Sequence, residues 1–306
     1  MNPARIDEIL PILEGAIPED FCVRKGREIH ACSIVNAKSG HCDQDCGFCA
    51  QSVHNRAVSP VYPLIGKSRL VEAAERAFEA GSSRFSIVTS GYAVRDEEEL
   101  ETICEAISEI LQRTRLRVCA SLGVLGIKQL ERLMAAGLSR YHHNLESAKS
   151  FYPSVCSTRS WEANLSTLAA ARSLGLEICS GGIFGMGESL EQRAEFVGQL
   201  AQLAPDGVPV NFLVAIEGTR MQGITRLTPD EALAVVRAIR IFCPNSEVII
   251  CGGRAHVLPD SQERLLDAGA DWLMVGDYLT VKGGSVENDI NMIRSAGYRF
   301  VFGGGE

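Results

Sequence analysis

Three cysteines stand close together early in the chain, in Asn36-Ala37-Lys38-Ser39-Gly40-His41-Cys42-Asp43-Gln44-Asp45-Cys46-Gly47-Phe48-Cys49. The spacing C-x3-C-x2-C brings three soft thiolates into one short loop, a set that selects zinc, copper or an iron–sulfur cluster. Three is one fewer than closes a structural zinc site or a four-iron cube. An iron left without a thiolate has room for a substrate. A zinc loop is the competing reading, and it needs a fourth ligand such as His41 or His54.

The chain holds eleven cysteines in 306 residues. In a reducing compartment a disulfide framework is out of keeping, and a free thiol is otherwise a small buried hydrophobe. Cys22, Cys104, Cys156 and Cys243 are assigned that packing role. Cys32, Cys119, Cys179 and Cys251 each fall in a short apolar run, where a strand would aim them at a common interior.

Those runs follow a repeated phrase. An amphipathic stretch ends in a small residue or Leu plus Gly, and an apolar run comes next: Ala80-Gly81, Ala136-Gly137, Leu174-Gly175 and Ala268-Gly269 all do this. Gly just past a helix accepts positive φ without a Cβ penalty. Leu70, Val71, Ala74, Ala77 and Phe78 share a helical face, as do Ile127, Leu130, Leu133 and Met134. Thr228-Pro229-Asp230-Glu231 and Ser189-Leu190-Glu191-Gln192 have capping-box spacing.

Strands are expected near residues 29–35, 84–89, 117–121, 140–144, 177–181, 208–213, 247–251 and 272–275, with helices between them and an extra helix over about 3–14. This alternation predicts an α/β fold, a (β/α)8 TIM-type barrel with an N-terminal helix; a doubly wound open sheet is the alternative. One domain is expected over 1–306: a helical extension over 1–25, the barrel over 26–300 and a flexible glycine-rich tail over 301–306. In either fold the chemistry belongs at the C-terminal ends of the strands, and the unusual residues fall there.

C-x3-C-x2-C with an aromatic before the last cysteine, just after the first strand of such a barrel, resembles the radical S-adenosylmethionine (SAM) superfamily. Further stretches resemble the biotin synthase family: Asn36–Ser52, Tyr141-His142-His143-Asn144-Leu145-Glu146, Cys179-Ser180-Gly181-Gly182-Ile183 with Gly185-Met186-Gly187-Glu188, Val208-Pro209-Val210-Asn211-Phe212-Leu213 with Glu217-Gly218-Thr219, and Gly252-Gly253-Arg254. The resemblance implies a [4Fe–4S] cluster on Cys42, Cys46 and Cys49 that cleaves SAM, and sulfur insertion into dethiobiotin. It implies SAM contacts at Thr89, Ser90, Asn144, Glu146, Ile183 and Gly185, and substrate contacts at Asn144, Asn211 and His142. A carboxylate suits a ribose diol, although the family often has Asp at the Glu146 position; an amide suits a cyclic urea. His142 stands where asparagine is common in the family. Other barrels of the superfamily, of methylornithine synthase or hydrogenase-maturase type, are the rival enzymes, and an iron–sulfur carrier is the non-catalytic rival.

The family commonly holds an auxiliary [2Fe–2S] cluster on three cysteines, from strands two, three and five, and an arginine on strand seven. Cys119, Cys179 and Arg254 match; the second-strand position is Ser86, a harder and poorer iron ligand. Cys32 and Cys251 lie on strands one and seven, so thiols stand on strands one, three, five and seven, the alternate strands that build one barrel layer. Three or four thiolates without Ser86 point to a four-iron auxiliary cluster, [4Fe–5S]-like where one iron carries an extra sulfide. Cys251 and Arg254 are three apart, so only a bulge at Gly252-Gly253 would turn both inward.

The net charge of −8 is spread along the chain with no basic tract, which argues against nucleic acid as a partner. The N-terminus lacks a signal-peptide pattern, and no apolar run reaches the roughly 18 residues of a membrane span. A cytoplasmic enzyme is expected. The family resemblance adds a homodimer and a flavodoxin- or ferredoxin-type electron donor.

Overall fold

The computed structural model describes residues 6–23, 26–276 and 283–303. Ten strands appear in chain order: β1 Glu28–Lys38, β2 Arg84–Thr89, β3 Arg117–Ser121, β4 Arg140–His142, β5 Glu177–Cys179, β6 Gly182–Phe184, β7 Gly207–Phe212, β8 Glu247–Ile250, β9 Trp272–Met274 and β10 Arg299–Val301. Every pairing between them is parallel. β9 pairs back onto β1 through His30↔Trp272, Ala31↔Leu273 and Cys32↔Met274, which closes the barrel. Each expected strand is present, and the open-sheet alternative is excluded by this closure.

β5 and β6 form one interrupted stave. The break falls at Ser180-Gly181, where a Cβ on Gly181 would lie 2.0 Å from Pro209 O and one on Gly182 would lie 2.2 Å from Glu146 O. The two glycines let the neighbouring staves close in on the gap. β10 is an addition that the sequence pattern missed. It lies against the start of β1, with Glu28↔Arg299 and His30↔Val301 paired. Gly303 N–H then donates to Gly81 O, so the expected tail is bound to the barrel through Gly303; residues 304–306 lie outside the described residues, as do 3–5 of the first helix.

Helices fill the connections. Gly81, Gly137, Gly175 and Gly269 all have φ between +84° and +117°, as the helix-stop reading required. Ser189 and Thr228 cap their helices as expected, each with its box closed by Gln192 or Glu231. The Ile127–Ala135 helix buries less than predicted: Leu130 and Leu133 are enclosed, whereas Ile127 and Met134 are exposed. It spans about two and a half turns, and the two exposed residues stand at its first position and in its last turn. The N-terminal helix Ile6–Leu13 packs on the helices Leu190–Leu203 and Pro229–Phe242. Among the described residues no helix is long and apolar enough to cross a membrane.

Candidate active site

A cavity of about 780 Å³ runs down the barrel. Alternation of side chains along each stave decides what it meets. At its upper end lie Cys49, Gln51, Thr89, Asn144 and Glu146; in the middle His142, Pro209 and Asn211; below them Cys32, Ser86, Cys119, Cys179 and Cys251; and at the floor Arg84 and Arg140.

The thiol loop leaves β1 at Ser39 and is tied back on itself. Cys42 N–H donates to Gln51 O at 3.0 Å and Val53 N–H to Cys42 O at 2.9 Å. The Asn55 amide donates to Cys46 O and Cys49 O at 3.0 and 2.9 Å. Gly40 is forced here: its φ is +79°, and a Cβ would sit 2.6 Å from Val61 Cγ2. Arg220 clamps the loop from outside, bonding Asp45 O and Val155 O at 2.9 Å each. Burial pushes the Cys49 thiol up to about 11. A hydrogen bond with Cys156, followed by burial, pushes Cys46 up as well. Among the described residues no three potential ligands gather around a single ion. A cluster spreads its thiolates over several irons and does not ask them to converge on a point; three thiols in one braced loop, one of them opening on a cavity, fit it.

Cys156 is buried as expected, packed with Cys46 and Tyr152. Cys22 is corrected: it is exposed, on the segment beyond the first helix. Cys104 and Cys243 are buried as expected.

At the β4 end, Glu146 has φ +69°, a left-handed conformation that costs a non-glycine residue energy and is held here by Gly182 against its carbonyl. Its side chain accepts from Asn144 Nδ2 at 3.3 Å, and Asn144 Oδ1 accepts from Gly181 N–H at 3.2 Å. Burial pushes the Glu146 carboxyl up to about 7, with Arg159 pulling the other way. Arg159 was missed by the sequence reading, since a lone arginine in a polar loop reads as solvated. A relay fixes it: His143 Nε2 meets Asn164 Oδ1 at 2.9 Å, Asn164 Nδ2 donates to Tyr152 OH at 3.2 Å, and Arg159 Nε donates to the same hydroxyl at 3.4 Å. This leaves a guanidinium on the cavity wall within electrostatic reach of Glu146 and Cys46.

Asn211 spans the gap between two staves, Nδ2 donating to Gly182 O at 3.2 Å and Oδ1 accepting from Gly252 N–H at 3.0 Å. His142 faces the cavity and is kept neutral, pushed down to about 4 by burial and then by Arg140. Thr89 and Ile183 line the cavity. Ser90 and Gly185 do not: Ser90 Oγ donates to Gly40 O at 2.8 Å, and Gly185 N–H donates to Glu188 Oε1 at 2.8 Å. Both brace the site from behind.

The lower thiols fall together as the alternate-strand argument required. Cys179 and Cys251 share one packed cluster, with Cys32 and Met274 against it. Cys32 and Cys179 are both raised to about 12, first by burial and then by neighbouring thiols. Ser86 Oγ is buried beside them with no hydrogen-bond partner. The turn at Gly252-Gly253, with Gly253 at φ +83°, brings both Cys251 and Arg254 onto the cavity wall. Arg254, however, is engaged: Nη2 lies 2.6 Å from Asp289 Oδ2 and Nη1 2.8 Å from Gln262 Oε1. Four protonated thiols and an orphaned hydroxyl in one enclosed layer fit a metal centre whose binding would displace the protons.

Residues 38–200 match the radical SAM superfamily, and residues 209–299 match the biotin and thiamin synthesis associated domain. The biotin synthase of Oleidesulfovibrio alaskensis is 43% identical over 300 residues, covering 95% of this chain and 92% of its own. The chain belongs to the biotin synthase family. A second family member, the biotin synthase of Syntrophus aciditrophicus, is 47% identical over 268 residues, 88% of this chain and 82% of its own. Among solved structures, the FeFe-hydrogenase maturase of Carboxydothermus hydrogenoformans superposes with a TM-score of 0.78 at 16% identity, covering 98% of this chain and 76% of that one. That likeness establishes the barrel alone; membership of the biotin synthase family rests on the sequence relatives, and it makes the chain a radical SAM enzyme.

Proposed function

We propose that this radical SAM enzyme inserts sulfur into dethiobiotin to give biotin. The observation that carries the reading is the stacking of two thiol sets, the loop of Cys42, Cys46 and Cys49 opening on the top of the cavity at Cys49 and Cys32, Cys119, Cys179 and Cys251 lining it below, with His142 and Asn211 between. When bound, the upper [4Fe–4S] cluster supplies the electron that splits SAM, and the lower centre supplies the sulfur. The residues position and enclose. Arg159 offers a fork for the SAM carboxylate, Asn144 and Glu146 face the ribose hydroxyls, and Thr89 and Ile183 complete the wall, with Ser90 and Gly185 behind it. Asn211, Asn144 and His142 take the ureido ring, the neutral imidazole of His142 being able to donate at one nitrogen and accept at the other. Enclosure keeps water and stray hydrogen donors from a radical.

The auxiliary centre is read as a four-iron cluster, [4Fe–5S]-like, in place of [2Fe–2S]. Ser86 withdraws one thiolate from the usual set, and Cys32 and Cys251 offer two. Arg254 is the weakest of the candidate ligands because it is already paired. The reading carries with it a single-domain, cytoplasmic homodimer reduced by a flavodoxin- or ferredoxin-type donor.

The deciding experiment is anaerobic incubation of rebuilt protein with dethiobiotin, SAM, reductant and sulfide, followed by mass spectrometry for biotin. SAM cleavage without biotin would turn the assignment to another reaction of the superfamily; bound iron without SAM cleavage would turn it to a carrier. Iron counting with Mössbauer spectra tests the centre, and about six irons per chain would restore the [2Fe–2S] form.

A further inference from the structure

The floor of the barrel holds three guanidinia, Arg84, Arg117 and Arg140, and two carboxylates, Glu177 and Glu247. The distances divide them unequally. Arg140 takes both carboxylates, with Nε and Nη2 at 2.8 and 2.7 Å from Glu177 Oε2 and Nη1 at 2.6 Å from Glu247 Oε2. Arg117 holds the other oxygen of Glu177 from the half-exposed outer side. Arg84 is left at 3.4 Å from Glu177 and 3.5 Å from Glu247. Its Nε and Nη2 have no hydrogen-bond partner, its side chain is 4% exposed, and its guanidinium lies over the Trp272 ring, 5.4 Å from the centroid. A buried cation held this loosely leaves one positive charge uncompensated.

That charge faces the lower thiols. Arg84 Nη1 lies 3.7 Å from Cys119 Sγ. Arg84 is in register with Cys32 on β1, and it is on the cavity face of β2 two residues before Ser86. We propose that Arg84 is a positioning residue for the auxiliary centre: its guanidinium bonds the Cys119 sulfur and supplies the positive charge that stabilises the centre in its reduced state. The inference rests on the auxiliary centre proposed above. Hydrogen bonds and charge near cluster sulfurs are the protein's means of setting a reduction potential. The step concerned is one electron passing from a reductant to the centre, with no bond made or broken.

The test is a reductive titration of rebuilt full-length protein with dithionite and a viologen mediator, the auxiliary centre being followed by its Mössbauer spectrum. In Arg84→Gln the centre keeps its iron and sulfide, and its reduced-to-oxidised ratio at fixed reductant falls tenfold or more, about 59 mV for one electron. Arg84→Lys, which keeps the charge and loses the fork, falls less; it carries the test alone if the glutamine variant does not hold the centre. Arg117→Gln removes the same charge from the same network at its screened outer end, and shifts the ratio by less than roughly threefold. An unshifted Arg84→Gln and Arg84→Lys, or an equal shift in Arg117→Gln, overturns the inference while leaving the auxiliary centre standing. A wild-type protein with only the upper cluster's iron overturns both.

Discussion

Arg254 and Asp289 form an ion pair 2.6 Å long with both side chains nearly enclosed, at 4% and 9% exposure. It ties the turn after β8 to the helix Val286–Ser295, and so closes one side of the cavity. A guanidinium held by a carboxylate keeps its protons and has no lone pair to offer a metal. Removing Asp289 takes the carboxylate from a buried cation, so Asp289→Ala is expected to cost about 3–5 kcal/mol in urea denaturation of the metal-free protein. The double variant Arg254→Met with Asp289→Leu recovers most of this. A single-variant cost below about 1 kcal/mol would mean that water reaches the pair.

Glu146 gives the metal-free protein a pH dependence of known sign. Its carboxyl is raised from 4.5 to about 7 by burial, so the folded state binds its proton more tightly than the unfolded chain does. Stability from this group is therefore full below pH 4.5 and lost as pH rises through 7. His142 and His143, both pushed down by burial, work in the opposite sense: their contribution is full above 6.5 and lost as pH falls. The difference between wild type and Glu146→Gln isolates the carboxylate. The variant is expected to gain on wild type by about 1–3 kcal/mol between pH 4.5 and 7 and to run parallel above. Parallel curves throughout would remove the carboxyl from the enclosed site.

Cys42 and Cys156 separate ligand from neighbour. Both lie close to the upper loop, but Cys42 is held by its backbone through Gln51 and Val53, so Cys42→Ala leaves the fold of the loop intact. It is expected to reduce 5′-deoxyadenosine formation to background with the melting temperature of the metal-free protein unchanged. Cys156→Ala is expected to retain it, because Cys156 lies outside the C-x3-C-x2-C spacing. The reverse pattern would reassign the ligands.

Much of this was legible in residue type and spacing, for physical reasons. Positive φ admits few residues besides glycine, so Gly81, Gly137, Gly175 and Gly269 marked where helices stop and strands begin. Three thiols in one loop have few alternative uses, and the alternate-strand rule gathers Cys32, Cys119, Cys179 and Cys251 from residue spacing alone. What escaped depends on tertiary surroundings. β10 is three residues long and exists by pairing with β1; the break at Ser180-Gly181 reflects how near Pro209 and Glu146 approach. Arg159 reaches the cavity wall only because Tyr152, Asn164 and His143 hold it inward, and Cys22, exposed where Cys156 is buried, shows that a lone cysteine's type does not reveal its burial.

Gly207 is where the two lower layers meet, and the space at its Cα decides both. A Cβ there would lie 2.8 Å from Arg140 Nη1, 3.1 Å from Ile249 Cδ1 and 3.3 Å from Cys179 Sγ. The Arg140 contact must open, against the grip of Glu177 and Glu247, and Cys179 Sγ must give by a few tenths of an ångström with it. Gly207→Ala is therefore expected to destabilise the protein by about 1–3 kcal/mol through overpacking, and also to lower the iron bound in the auxiliary layer while leaving the upper cluster's SAM cleavage intact. Gly223→Ala, with nothing within 4 Å of the added carbon, is the control for adding a methyl group. Thermal denaturation and iron analysis of the two variants read the effects separately. Full auxiliary iron in Gly207→Ala would show that Cys179 does not need its present rotamer, and that the thiol layer tolerates a shift of its β5 member.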